Sequence, residues 1–328
     1  MSPRLAVVGL GRIGCGLDMG PGGNLGQTHA GATRLCPGLE LAGGADPDPG
    51  RREAFRLAFG VPAFASAEEM FAALRPDMAA VATPPDLHAD GVLAALDGGV
   101  RAVVCEKPLE ADPRRAGELV RQCHERGAIL AVAHWMRWSA PWTGAARMLR
   151  EGGLGTPRRV RYLYSKGLFN SGTHALDILR LLFGEIAEVR AEGASMLDTG
   201  EPNVDGRVRF RNGLVAELRT LDYREHFTTE CDILGGLGRL VLGDEVRLLR
   251  PAGPGGRLEP MTPPPFPTAD AESPFVALYR DLARILEHGG EPRCTGRDAL
   301  AALLTAQALL RSLEEGGRTI IPESPDHV

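Results

Sequence analysis

A doubly wound parallel α/β sheet, followed by an α+β domain with a large, mainly antiparallel open sheet, is the fold class that the sequence predicts. Short β-branched runs alternate with helical stretches up to about residue 133, as in strands buried on both faces and joined by helical crossovers. The rhythm then changes to alternating strands with a hairpin signal, the pattern of an antiparallel sheet. A length of 328 residues fits two domains at roughly 100–200 residues each, divided as 1–133 and 134–328.

Leu5–Gly9, Leu39–Ala45, Met78–Thr83, Ala102–Glu106 and Ile129–Ala133 are short and apolar, as buried parallel strands are. Helices are expected between them at Pro49–Phe59, Ala67–Leu74, Leu87–Asp97 and Pro113–Arg126. In the second domain, Pro157–Tyr164 alternates Arg159 and Arg161 with Val160 and Tyr162. Arg207–Phe210 and Leu214–Thr220 flank Asn212-Gly213, a two-residue hairpin signal, and Thr229–Leu234, Arg239–Leu242 and Val246–Arg250 continue the sheet. One long helix, His174–Phe183, is expected among these strands. The Pro- and Gly-rich stretch Pro251–Pro274 reads as an extended surface connection. Phe275–Glu287 then carries Phe275, Leu278, Leu282, Ile285 and Leu286 on one stripe, and Asp298–Glu315 is an Ala/Leu-rich helix ended by Gly316-Gly317. A sheet covered by helices on one side leaves the other face open. Self-association through that sheet, as a homodimer or homotetramer, is therefore the expected assembly.

Thirty-seven Lys and Arg against 42 Asp and Glu leave a net charge of −5, without the basic excess that nucleic-acid binding uses. No apolar run approaches the ~18 residues of a membrane span, and the start MSPRLAVVGLG lacks a signal-peptide layout. Cys15, Cys36, Cys105, Cys123, Cys231 and Cys294 are scattered, with no Cys-x-x-Cys pair. Reduced thiols in a cytoplasmic protein fit this better than a zinc site or a disulfide framework. A small-molecule partner is expected, and no metal.

Gly9-x-Gly11-x-x-Gly14 directly follows the first strand. Glycine there permits a tight turn, backbone approach to a pyrophosphate and close helix packing, while the helix start offers amide donors to the anion. The pattern reads as the Rossmann dinucleotide fingerprint, with Arg12 and Ile13 between its last two glycines; a purely structural turn, as in other doubly wound folds, is the alternative. Asp46, at the end of the second strand, is placed to accept from the adenosine ribose. It lies 32 residues beyond Gly14, against about 20 for the usual unit. The glycine-rich segment Cys15–Gln27 accounts for the surplus, either as a loop beside the cofactor or as a tolerated surface insertion. A carboxylate at Asp46 disfavours the 2′-phosphate of NADP, and Arg51 and Arg52 nearby soften that preference for NAD.

Thr83, Pro84 and His88 belong to a loop expected at the carboxyl edge of the sheet, where ligands bind in this architecture. Glu106-Lys107-Pro108 ends the next strand and could place a cation near a reacting hydroxyl; an ordinary surface lysine is the alternative. In Asn170-Ser171-Gly172-Thr173-His174-Ala175-Leu176-Asp177, His174 and Asp177 share a helix face. Histidine suits proton transfer at neutral pH; a buried, satisfied histidine is the alternative. Trp135, Trp138 and Trp142 cluster around Arg137, suiting either the C–H faces of a sugar or core packing.

Together these segments resemble the Gfo/Idh/MocA oxidoreductases. The resemblance runs in order through Gly9–Gly14, His29, Asp46, Thr83-Pro84-Pro85-x-x-His88, Glu106-Lys107-Pro108, Arg137, Gly155-Thr156-Pro157, Gly172-x-His174-x-x-Asp177 and Asp232-Ile233-Leu234-Gly235. It implies an NAD(P)-binding Rossmann domain and a second domain whose open sheet often dimerises. It further implies a catalytic, substrate-binding Lys107, an acid/base His174 and a cis Pro108. Many members carry Asp four residues before the histidine; here that position is Asn170, as in members resembling nucleotide-sugar 3-dehydrogenases. The change points to a different substrate class.

The implied activity is hydride transfer between nicotinamide and a secondary alcohol or ketone of a sugar, sugar derivative or cyclitol. Lys107 would stabilise the alkoxide, His174 would move the proton, Asp177 would orient it, and Asn170 would hold a neighbouring hydroxyl. Glu106 and Lys107 are expected near the cofactor, and Lys107, Trp135, Arg137, Asn170 and His174 near the substrate. Two other readings are a non-catalytic NAD(P)-binding regulator on the same fold and a reductase of a non-sugar carbonyl or imine.

Overall fold

The computed structural model describes residues 2–20 and 26–328. By internal contacts the chain forms two compact units, Met1–Trp138 with Glu272–Leu300 and Val328, and Ser139–Ala271 with Ala301–His327. The sequence pattern, which changes near residue 133, gave no sign that 272–300 rejoins the first unit.

The first unit holds strands β1 (Arg4–Val8), β2 (Glu40–Ala45), β3 (Ala63–Phe64), β4 (Met78–Val81), β5 (Ala102–Cys105) and β6 (Ile129–Val132). They form one parallel sheet in the order β3-β2-β1-β4-β5-β6. Every residue of β4 and β5 is buried, which is why these strands read as unbroken apolar runs. The crossover helices include α1 (His29–Leu35), α2 (Pro49–Phe59), α3 (Ala67–Leu74), α4 (His88–Asp97) and α5 (Pro113–Glu125). Their starts are chemically fixed: Asp48, Ser66 and Asp112 accept from backbone N–H groups of the first turn, and Pro follows Asp48 and Asp112. The late helix Pro274–His288 packs on α1 and on the turn Trp135–Trp138. It buries Val276 and Tyr279 besides Leu278, Leu282 and Ile285, whereas Phe275 and Leu286 stay half-exposed.

The second unit is built on β7 (Pro157–Ser165), β8 (Ile186–Met196), β9 (Pro202–Phe210), β10 (Val215–Leu221), β11 (Thr229–Gly235), β12 (Gly238–Leu242), β13 (Arg247–Pro251) and β14 (Leu258–Pro260). The sheet order is β14-β13-β12-β11-β7-β10-β9-β8, antiparallel except for the β10–β7 pair. Its helices are α6 (Ala140–Arg150), α7 (Thr173–Phe183) and, counting the late helix of the first unit as α8, the greater part of α9 (Gly296–Glu314). The Ser312 hydroxyl accepts from Ala191 N–H, fixing α9 against β8.

Several expectations need correction. A helix with no counterpart in the sequence reading, α6, precedes the sheet, while α7 is the one α-helix between β7 and β14, as expected for His174–Phe183. Strand β8 was not anticipated, and β14 lies inside the proline-rich connection. The Asn212-Gly213 hairpin uses a four-residue loop, 211–214, rather than two residues: Leu214 O accepts from Phe210 N–H, and the Asn212 side chain caps Leu214 N–H. All six cysteines are buried thiols outside any disulfide, and among the described residues no helix is long and apolar enough to cross a membrane.

Candidate functional site

Strands β1 and β4 are neighbours, and the chain leaves them toward opposite edges of the sheet, so the turn after β1 lies at the topological switch point. Gly9 has φ +90°, and a Cβ there would stand 2.7 Å from the Ala82 carbonyl oxygen and 2.9 Å from Thr83 N. That close approach fixes the glycine loop against the loop that follows β4. A Cβ at Gly11 would meet nothing within 4 Å, which leaves its backbone open to a ligand, whereas one at Gly14 would run into the Gly9 carbonyl oxygen. The three glycines thus meet the three separate demands of a dinucleotide loop.

Asp46 is 4% exposed at the end of β2. Its Oδ2 accepts from Leu10 N–H at 2.9 Å and its Oδ1 from Asp48 N–H at 2.9 Å, so the carboxylate is oriented by the glycine loop itself. Arg51 reaches Oδ2 at 3.4 Å from an exposed position, while Arg52 donates to the Asp46 and Pro47 carbonyls. Across the switch point, Thr83 Oγ1 is buried without a hydrogen-bond partner. An orphaned hydroxyl, an open backbone at Gly11 and a held carboxylate fit a ligand with ribose and phosphate groups. Arg12 is exposed and Ile13 half-buried on the loop.

The segment between Gly14 and Asp46 is interrupted in a specific way. Cys15 N–H donates to Gly11 O, opening a helical turn, and His29 N–H and Ala30 N–H then donate to Ile13 O and Gly14 O. In an unbroken α-helix the donors to those two carbonyls would be residues 17 and 18. The helix therefore resumes twelve residues late, and twelve from 32 leaves the usual spacing of about 20. The insertion is spliced into the first turn of the dinucleotide helix and closed at its base by Asp18. The Asp18 carboxylate, 3% exposed, accepts from Thr28 N–H at 2.8 Å and Thr28 Oγ1 at 2.6 Å, while Thr28 caps Gly31 N–H. The middle of the insertion, residues 21–25, lies outside the described residues.

Glu106 and Lys107 leave the carboxyl end of β5, and the Lys107–Pro108 peptide is cis. Glu106 Oε2 accepts from Lys107 N–H at 3.2 Å, and Oε1 faces His29 Nε2 at 3.3 Å. The His29 ring is fully buried, and its Nδ1 lies 2.6 Å from Tyr279 Oη on α8. A carboxylate only accepts, so Nε2 carries the proton facing Glu106, and in the neutral ring Nδ1 accepts from Tyr279. Burial pushes the Glu106 carboxyl up, but the hydrogen bond and attraction from His29, then the Lys107 charge and N–H, outweigh it and hold the group below its usual range. His88, at the start of α4, spans the Pro108 carbonyl at 2.8 Å and the Thr83 carbonyl at 2.9 Å, tying the two loops together.

The tryptophan cluster is mostly core. Trp138 is 3% exposed and donates to Asp281, Trp142 is 4% exposed and stacks on Tyr162, and Trp135 is half-buried. Arg137, 6% exposed, donates to the Arg293 carbonyl and pairs with Asp298 at 3.2 Å, contacts that join the Trp135–Trp138 turn to the start of α9.

In the second unit a single π-turn, Leu168–Gly172, runs straight into α7, so Asn170, His174 and Asp177 occupy consecutive turns. Asn170 and His174 are half-exposed, while Asp177 is 1% exposed. Two residues of β8–β9 hold this turn. Glu201 Oε1 accepts from Phe169 and Asn170 N–H, and Asn203 Oδ1 accepts from Gly167 N–H. Sequence reasoning missed Tyr279, Glu201 and Asn203, which act on the site segments from distant parts of the chain, and Asp18, whose i,i+10 pairing with Thr28 across the insertion was within local reach. Among the described residues, no group of three or more His, Cys, Asp or Glu is arranged to hold a metal ion.

Residues 4–134 match the oxidoreductase-family NAD-binding Rossmann fold, and residues 158–320 match the C-terminal α/β domain of the same family. The chain is 29% identical to the D-apiose dehydrogenase of Paraburkholderia graminis, over 94% of this chain and 88% of that one. It is 30% identical to an inositol 2-dehydrogenase of Mycolicibacterium gilvum, over 73% of each. In fold it is similar to an oxidoreductase from Agrobacterium radiobacter, solved with NAD+, L-tartaric acid and magnesium, at a TM-score of 0.80 and 22% identity over 98% of both chains. With both of its domains matched in order, the chain belongs to the Gfo/Idh/MocA family and is an NAD-binding oxidoreductase.

Proposed function

We propose that this oxidoreductase interconverts a secondary alcohol and a ketone on a small carbohydrate, sugar derivative or cyclitol. The observation that carries the proposal is the placement of Lys107 directly beyond β5, on the edge that bears the glycine loop and Asp46, with its neighbour Glu106 held by His29. The names of the relatives, which include D-apiose dehydrogenase, inositol 2-dehydrogenase and 1,5-anhydro-D-fructose reductase, support the substrate class. Bound NAD+ would supply the acceptor for the hydride that leaves the carbinol carbon. Gly9, Gly11 and Gly14 would receive its pyrophosphate, Asp46 its adenosine ribose, and Thr83 a polar group at the switch point. Oxidation also releases one proton. His174 would take it from the substrate hydroxyl, with Asp177 one turn on orienting the ring. Lys107 would stabilise the oxygen as its charge develops, and Asn170 would hold a neighbouring hydroxyl. The open eight-stranded sheet is proposed as the face through which copies of the chain associate.

The test is absorbance of the reduced nicotinamide with D-apiose, myo-inositol and D-xylose, each with NAD+ and with NADP+. At least one polyol should turn over, and His174→Ala should lower kcat by about 10²–10⁴-fold. Lys107→Ala should abolish turnover and leave NADH affinity near wild type. Wild-type rates in both variants would overturn the assignment of these residues.

A further inference from the structure

The segment that carries Asn170 and leads into His174 is irregular, and the protein holds it by side chains rather than by a strand ladder. Lys166 and Gly167 both lie at positive φ, +74° and +91°. A non-glycine residue in that region is strained by about 1–2 kcal/mol and persists only where its surroundings over-determine it. The following π-turn closes through Gly172 N–H to Gly167 O at 3.0 Å, and its first N–H groups have no partner within the turn. Glu201, in the connection between β8 and β9, fills that gap: Oε1 accepts from Phe169 N–H at 2.5 Å and from Asn170 N–H at 2.7 Å. A side chain at Gly167 would collide with this same carboxylate, so the glycine and the glutamate occupy complementary space.

The carboxylate is itself anchored. The Glu201 carbonyl accepts from Leu197 N–H at 3.1 Å. Two residues on, Asn203 (1% exposed) accepts from Gly167 N–H at 2.8 Å and donates to the Leu221 carbonyl at 3.1 Å. The α7 start has no side-chain cap of its own, since Gly172 fills the cap position. An anionic acceptor at the first N–H groups of a helical segment supplies both the missing hydrogen bonds and a favourable charge.

We propose that Glu201 is a positioning residue for proton transfer: seated on the Phe169 and Asn170 amides, it sets where the Asn170 side chain stands and where α7 begins, and thereby where His174 is presented. The proposal rests on the reading of Asn170 and His174 given above. Misplacing a reacting group by about 1 Å costs on the order of 10²-fold in rate, and Glu201→Ala frees both amides at once. That variant is expected to lose kcat by roughly that factor at saturating substrate while binding NADH as wild type does. Glu201→Gln keeps an oxygen acceptor without its charge and should recover most of the loss, whereas Glu201→Met keeps the bulk without the acceptor and should not; equal recovery in both would mean that the side chain only fills space.

A second arm needs no substrate. Hydrogen–deuterium exchange of the full-length chain should show the amides of 168–172 exchanging about tenfold faster in Glu201→Ala than in wild type, with the strands of the same sheet unchanged. Unchanged exchange in 168–172 would overturn the proposal, as would faster exchange with wild-type kcat. If Lys107→Ala and His174→Ala themselves retain full turnover, the functional reading fails separately, and the exchange experiment still decides whether Glu201 holds the turn.

Discussion

Replacing His29 by leucine probes the buried chain that runs from Tyr279 through His29 to Glu106. The imidazole is fully buried, 2.6 Å from Tyr279 Oη and 3.3 Å from Glu106 Oε1, with its ring edge-on to Phe275 at a centroid distance of 4.9 Å. Leucine preserves most of the apolar packing and deletes both hydrogen bonds. The bond to an ionised carboxylate contributes about 1.5–3 kcal/mol, and a tyrosine hydroxyl left buried without a partner costs about 1–3 kcal/mol. A loss of about 3–5 kcal/mol in unfolding free energy is therefore expected, in the range for breaking a buried pair by removing one side. Tyr279→Phe removes one neutral bond and should cost less.

The pH dependence separates the charge effect from packing. In wild type the Glu106 carboxyl titrates below its ordinary 4.5, so its contribution to stability is complete above about that pH and is lost as pH falls through the depressed value. In His29→Leu the two largest contributions opposing burial are gone, and the titration moves up. The stability gap between wild type and variant should then be widest near pH 7 and narrow as pH falls toward 4. Urea unfolding at a series of pH values measures it, and Glu106→Gln with the double variant completes a thermodynamic cycle. A gap below about 1 kcal/mol, or one that does not change between pH 7 and 4, would refute the idea that His29 holds Glu106 ionised.

Asp46→Asn should keep an acceptor for Leu10 N–H while removing the charge that opposes a 2′-phosphate. The ratio of NADP+ to NAD+ in kcat/KM should rise by about tenfold or more with Arg51 beside it, and an unchanged ratio would show that Asp46 does not face the adenosine ribose. Sedimentation velocity at micromolar protein should give a species of two or four chain masses; a monomer would remove the open sheet as an association face.

Much of the fold was legible because local chemistry and tertiary demand agree in the parallel sheet. Met78–Val81 and Ala102–Cys105 are buried along their whole length, so their apolar runs can mean little else, and Pro49 after a capping Asp48 announces its helix. Strand β8 was illegible for the opposite reason. Its alternation sets only Val189 and Ala191 inward against Glu188, Arg190 and Glu192, and its last three residues are exposed. Helix α6 was obscured by Pro141 and by Gly144, a glycine needed because a Cβ would stand 2.8 Å from Phe266. At the candidate site, the glycine motif, Asp46, Lys107 and His174 were visible as residue types in context. Their supports were not, because Tyr279 lies 250 residues from His29, and Glu201 lies 31 from Asn170 with a whole helix and strand between.

The same physical device recurs wherever a segment carrying candidate chemistry leaves regular structure. Asp46 seats on Leu10 and Asp48 N–H, Asp18 on Thr28, and Glu201 on Phe169 and Asn170 N–H. In each case a carboxylate satisfies amides that no helix or strand ladder pairs, and charge-assisted bonds of this kind are about twice as strong as neutral ones. Such a loop is specified by one acceptor and a few donors, so its neighbouring residues can vary without disturbing the sheet beneath. The splice after Gly14 shows the consequence: an excursion enters the first turn of the dinucleotide helix, and once Asp18 closes its base, His29 and Ala30 return to the carbonyls of Ile13 and Gly14. A helix interrupted without such a clasp would leave those carbonyls and the Thr28 and Gly31 amides unpaired. Asp18 therefore holds the base of the insertion, through its bonds to Thr28, which in turn caps Gly31 N–H.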